Sequence, residues 1–243
     1  IGSAIEQVGD PVDGLVQYRF TPSYALGEGQ YQFTVRAVDA AGNVSDASQA
    51  TALTIDFTAP VAPKVDALRT SSTDPLVTGL AALKVGETLT VSFGEASYSA
   101  RVVARPSDAQ PDGQVTYTTN LVPAPDPLPF SVDLAANSWS LALTGLSEGS
   151  YSVQASVVDR AGNLSAESTS NELVINTSAP MVAGFRSNTL DGSYGQDQPI
   201  SIIADMSEMV QGGGTLEVTL STGELVTLTT PTQQPSMFLV GTY

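Results

Sequence analysis

The chain has 243 residues, 25 Asp plus Glu against nine Lys plus Arg, a formal net charge of −16, and neither His nor Cys. Imidazole bases, His-based triads, thiol nucleophiles, disulfides, Fe–S clusters and zinc sites built on either ligand are thereby excluded. Nine scattered basic residues form no nucleic-acid-binding stripe, and the acidic field repels phosphates, so chemistry falls to carboxylates, hydroxyls, amides and backbone. A hydrophobic content of 42% suffices for packed cores, and the 14% of charged residues lies well below the usual quarter. The difference is made up by Ser and Thr, which suit β-sheet faces. No apolar run reaches the length of a membrane-spanning helix. The first four residues, IGSA, have no basic or apolar region of the kind a signal peptide carries, so none is expected in this stretch.

In chain order, 15–20 reads as a strand. Tyr31, Phe33, Val35 and Ala37 then alternate with Gln32, Thr34, Arg36 and Val38, the period of a half-buried strand. Ala41, Gly42 and Asn43 make a turn, because Gly and Asn tolerate positive φ. A second strand runs to Ile55 or Asp56, and Pro60 ends it, being unable to donate to a ladder. Further strands are expected at 76–80, 88–93, 97–104, 115–119, 138–143, 200–204, 216–220 and 225–229. No amphipathic helix is expected, and short strands at turn-punctuated spacing predict an all-β fold of antiparallel sandwiches.

Sliding the sequence along itself reveals a repeat. Residues 26–60, LGEGQYQFTVRAVDAAGNVSDASQATALTIDFTAP, align without a gap on 146–180, LSEGSYSVQASVVDRAGNLSAESTSNELVINTSAP. The chain therefore carries a module with a spacing of about 120 residues. The L-x-E-G-x-Y segment places Tyr31 and Tyr151 where a sandwich corner uses a tyrosine hydroxyl to hold upstream backbone.

These segments resemble the tandem bacterial Ig-like repeats of giant secreted and surface adhesins, with their G-x-Y, D-x-A-G-N-x-S and terminal T-A-P signatures. Residues 181–243 resemble a different module of the same proteins, through DGSY, ISII, SEMV and TLEVTLSTG. The resemblance implies tandem Ig-like sandwiches: 1–60 the C-terminal half of a module, 61–180 a complete module with a Pro-rich insertion at about 105–129, and 181–243 the N-terminal half of a further module, open to completion by residues 1–60 of a neighbouring repeat or chain. It implies a non-enzymatic extender in an extracellular, bacterial cell-surface fibre. Its partners would be copies of itself or adjacent repeats, end to end, with no nucleic acid and no membrane insertion. A surface glycan or cell-surface ligand would be met elsewhere in the full protein. A surface-layer or biofilm-matrix protein, and a carbohydrate-binding accessory module of a secreted enzyme, are the rival readings.

The resemblance also implies Ca2+ at module junctions. Calcium takes six to eight oxygen ligands, and Asp39 with Asn43, like Asp159 with Asn163, puts two oxygen-bearing side chains on one tight loop. An Ig topology sends that loop toward the preceding module and the corner bearing Glu28 or Glu148 toward the following one. One junction would then gather Glu28, Asp56, Asp159 and Asn163. The other would gather Glu148 and Asn176, with Asp39 and Asn43 of the next unit. The alternative is a plain hairpin turn in which Asp and Asn bond their own backbone.

Elsewhere the sequence reads more simply. Asp191, Asp197, Asp205 and Glu208 are read as solvated loop or strand-edge residues rather than a glycosidase pair. Asn43, Asn163 and Asn176 open N-x-S triplets that belong to the repeat or its linker rather than to glycosylation. Gly212 to Gly214 lack the Lys and helix of a phosphate loop. Trp139 and Phe130 are expected between sheets, and 120–130 as a stiff surface connection or a lateral contact.

Overall fold

The structure is a computed structural model and describes residues 4–12, 15–104, 113–167 and 169–243. Among the described residues it is all-β, with twenty-one strands and no helix, as the sequence predicts. The chain divides into two compact units, Ile1–Asn176 and Thr177–Tyr243.

The first unit opens with four strands: β1 (Ala4–Val12), β2 (Leu15–Thr21), β3 (Gly29–Phe33) and β4 (Thr51–Ile55). They form two separate antiparallel hairpins, β1–β2 and β3–β4. After Pro60 come β5 (Lys64–Val65), β6 (Leu68–Thr70), β7 (Leu76–Leu80), β8 (Thr88–Phe93), β9 (Ala96–Val103), β10 (Gln114–Thr119), β11 (Phe130–Asp133), β12 (Ser138–Ala142), β13 (Gly149–Tyr151), β14 (Val153–Val158), β15 (Leu164–Ala166) and β16 (Leu173–Ile175). A sheet ordered β10-β9-β8-β14-β15 and one ordered β11-β12-β7-β5 share a single core, and β13-β16-β6 makes a third, in which β16 runs parallel to β6.

The alternation of side chains builds this core. Leu89 and Val91 of β8, Val153, Ala155 and Val157 of β14, Val77 of β7, and Trp139 and Leu141 of β12 point inward. Their neighbours Thr88, Thr90, Ser92 and Ser156 stay on the wetter face. Among the described residues, the core of this unit lies between Val65 and Ile175, and none of it precedes Pro60. Trp139 and Phe130 are buried as expected. Gly79 pairs with Trp139 across the β7–β12 ladder, and a Cβ there would lie 2.1 Å from the Lys64 carbonyl oxygen and 2.4 Å from the indole. Gly79→Ala is expected to cost at least about 1–3 kcal/mol through forced displacement of that carbonyl and ring, read as a fall in the denaturant midpoint.

The segment 31–38 departs from its expected form. The strand stops at Phe33, and Val35 is 67% exposed, although its repeat counterpart Ala155 is 2% exposed in the middle of a sheet. The alternating pattern encodes a face, but a strand also needs a bonded neighbour. Among the described residues, 35–37 bond only to the loop bearing Ser45 and Ser48.

The second unit is one antiparallel sheet ordered β17-β18-β21-β20-β19, from β17 (Val182–Arg186), β18 (Ser201–Val210), β19 (Thr215–Thr219), β20 (Leu225–Thr229) and β21 (Ser236–Thr242). Its core is Ala204, Met206, Val226, Leu228 and Leu239. Asp205 pairs with Arg186 at 3.0 Å, and that guanidinium lies 5.6 Å from the Phe238 ring centroid, so Asp205 braces β17 against β18.

Candidate functional site

The site is the linker between the first hairpins and the sandwich that follows. Tyr31 donates its hydroxyl proton to the Gly27 carbonyl and Tyr151 to that of Ser147, each at 2.9 Å, so both are the corner tyrosines the repeat predicts. The corner sets Glu28 beside the strand end, because Gly29 pairs with Ile55 in the β3–β4 ladder. The Glu28 carboxylate accepts from the Thr58 hydroxyl at 2.9 and 3.0 Å and from the Phe57 N–H at 3.4 Å. Asp56 Oδ1 accepts from the Thr58 N–H at 2.9 Å, closing a short turn on the same threonine. The two carboxylates thus fix the exit of the chain from β4.

The turn between β14 and β15 approaches from the other side. Gly162, at φ 94°, lets this turn close. Asp159 Oδ1 accepts from the Asn163 N–H at 2.9 Å, and its Oδ2 from the Asn163 side-chain amide at 2.9 Å. That amide nitrogen also donates to the carbonyl oxygens of Asp56 at 3.1 Å and Thr58 at 3.3 Å. Ser165 donates its hydroxyl to the Pro60 carbonyl at 2.6 Å. Glu28, Asp56, Asp159 and Asn163 are therefore brought to one short stretch of linker. Thr58, Ser165 and the linker carbonyls were missed by sequence reasoning. The available signal was the Ser repeated two places after Asn43 and Asn163: the N-x-S triplet at 163–165 is a docking pair.

The other named residues lie apart from this junction. Asp39 and Asn43 build the same loop: Asp39 Oδ1 accepts from the Ala41 and Asn43 N–H groups at 2.9 and 2.8 Å, and Oδ2 from the Asn43 amide at 2.8 Å. Glu148 and Asn176 flank the Gly149–Ile175 pair of β13 and β16, as Glu28 and Asp56 flank theirs. The Asn176 N–H donates to the Thr70 carbonyl at 3.0 Å.

The Asn163 amide holds the Asp159 carboxyl below its ordinary value of 3.8, and the Asn43 amide does the same for Asp39. A depressed folded value means that the loop's contribution is fully present above the unfolded value and is lost only as pH falls through the lower folded one. NMR titration should place the Asp159 midpoint below 3.8 and show it rising in Asn163→Ala.

Two linker carbonyls and one carboxylate oxygen converge on the Asn163 amide nitrogen, and a hard cation such as calcium, which takes oxygen ligands, would need that amide turned to present its Oδ1. Only Asp159 brings a carboxylate to that point, and among the described residues no group of three or more Asp or Glu side chains is gathered to hold a metal.

The fold is all-β, built of antiparallel sheets in the manner of Ig-like sandwiches. Residues 6–57 match the family model of the bacterial Ig-like domain, so the resemblance read from the repeat is shown on that segment. No curated protein matches the sequence. Among the described residues no helix is long and apolar enough to cross a membrane.

Proposed function

We propose that the chain is a non-catalytic extender of an extracellular bacterial surface protein, in which Ig-like sandwiches run end to end and short clamped linkers limit bending between them. What carries this reading is the junction at 56–60. A five-residue linker bonded from both sides, by Glu28 on one side and by Asn163 and Ser165 on the other, transmits orientation instead of acting as a free hinge.

Calcium at that junction is part of the proposal. Asp159, Asn163 and the Asp56 and Thr58 carbonyls would hold the ion, with Glu28 and Asp56 adding negative charge nearby. The second junction would use Glu148 and Asn176 with Asp39 and Asn43 of the next unit. With one carboxylate at the point of convergence, affinity is expected on the order of 10⁻⁴–10⁻³ M, the range of extracellular modules. Calorimetric titration with calcium chloride should show binding in that range, weakened in Asp159→Ala, and limited proteolysis at 56–63 should slow when the ion is present. No heat and unchanged cleavage would remove calcium from the reading and leave the hydrogen-bonded clamp standing.

A further inference from the structure

The two copies of the repeat share one pattern and differ in what surrounds it. In the second copy β14 lies between β8 and β15, and Val153, Ala155 and Val157 are at most 2% exposed. In the first copy the side equivalent to β15 is taken. The N–H groups of Ser45 and Ser48 donate to the Ala37 and Val35 carbonyls, and the two serine hydroxyls accept from the N–H groups of Ala37 and Val35. The side equivalent to β8 has no strand among the described residues, and Val35 is left exposed. Among the described residues the β1–β2 hairpin has no third strand, whereas the corresponding β11–β12 hairpin is continued by β7. The loop from Asp39 to Asn43 is built like that from Asp159 to Asn163, but among the described residues no linker carbonyls sit on Asn43.

One block of chain would supply all three missing partners: a linker ending in Ala-Pro, followed by strands of the β5 to β10 kind. In the complete sandwich that block is 56–119. The chain holds a second block in the same order, residues 176–180 reading NTSAP, then β17 to β21. Those strands make one sheet, where residues 61–176 make facing sheets. Phe185 stands opposite Ala204 on the face that carries Leu228 and Leu239, and is itself exposed.

We propose that residues 176–243 of a second copy dock on this open half, with the linker carbonyls on Asn43 and a strand added along the free edge of 33–38. The contact joins two different surfaces, so it is heterologous and propagates head to tail, into an open fibre or a closed ring according to the angle it sets. It rests on the end-to-end reading above, and names the partner that reading needs.

The test is sedimentation velocity of the 243-residue chain across a concentration series, with two variants at exposed positions, Val35→Lys and Phe185→Lys, each checked for an unchanged circular dichroism spectrum. The wild-type chain should give a concentration-dependent ladder. Each variant alone should weaken association by at least about tenfold. An equimolar mixture of the two should give a 1:1 dimer and nothing longer, because each variant keeps one intact surface. A wild-type chain that stays monomeric to its solubility limit overturns the proposal and assigns the open face to another segment, while leaving the linker clamp untouched. Variants that associate like wild type, or a mixture that stays monomeric, overturn it equally.

Discussion

Trp139→Ala is expected to lower the stability of the 61–176 sandwich by about 3–5 kcal/mol, the range for truncating a buried aromatic. The indole is 2% exposed and lies against Gly79, among core side chains drawn from both large sheets. Its Nε1 is buried with no hydrogen-bond partner among the described residues, so the loss is one of packing and not of a polar contact. Trp139→Phe should therefore cost less than half as much, because it leaves a smaller void and removes a buried donor that has nothing to bond. Chemical denaturation followed by tyrosine fluorescence would read both variants. Equal losses in the two would contradict the assignment of that ring to the centre of the core.

Asn163→Ala should free the linker without unfolding the sandwich. The substitution removes amide donation to Asp159 and to the carbonyls of Asp56 and Thr58. At about 0.5–1.5 kcal/mol for each of the two bonds to linker carbonyls, the local opening free energy of the linker falls by roughly 1–3 kcal/mol. Hydrogen exchange at the amides of Phe57 and Thr58 should accelerate correspondingly, while amides of β8 and β14 keep their protection. Asn43→Ala is the matched control, since it breaks the same internal bond to an aspartate in a loop that, among the described residues, bonds to no linker carbonyl. It should leave exchange at 57 and 58 unchanged. If Asn43→Ala has the same effect, the linker is not clamped by the loop from Asp159 to Asn163.

The repeat made the larger features legible. Tyr31 and Tyr151 hold the corners expected of them, and β7, β8 and β20 have the bounds that alternation predicts. β5 and β6 are too short to show any period, and β21 is apolar on both faces along much of its length, so alternation could not reveal them. Val35 marks a different limit. It has the inward parity of Ala155, but parity cannot say whether a neighbouring strand exists.

At the junction, carboxylates were visible because only some residues carry them. The Asp56, Thr58 and Pro60 carbonyls that Asn163 and Ser165 engage were invisible, because every residue has a carbonyl. The sequence therefore located the junction and named four of its side chains, reading them as oxygen ligands for an ion or, at Asp159 and Asn163, as a plain hairpin turn. The geometry adds a set of hydrogen bonds that already closes the joint.

The absence of cysteine allows spin labels to be placed at will. Labels at Gln49→Cys and Ala135→Cys, both exposed, report from the two sides of the linker. Double electron–electron resonance between them tests the clamp most directly. A clamped junction predicts one narrow distance distribution, broadening in Asn163→Ala. A broad distribution in the wild-type chain, unaltered by that substitution, would contradict the reading of this protein as a stiff extender.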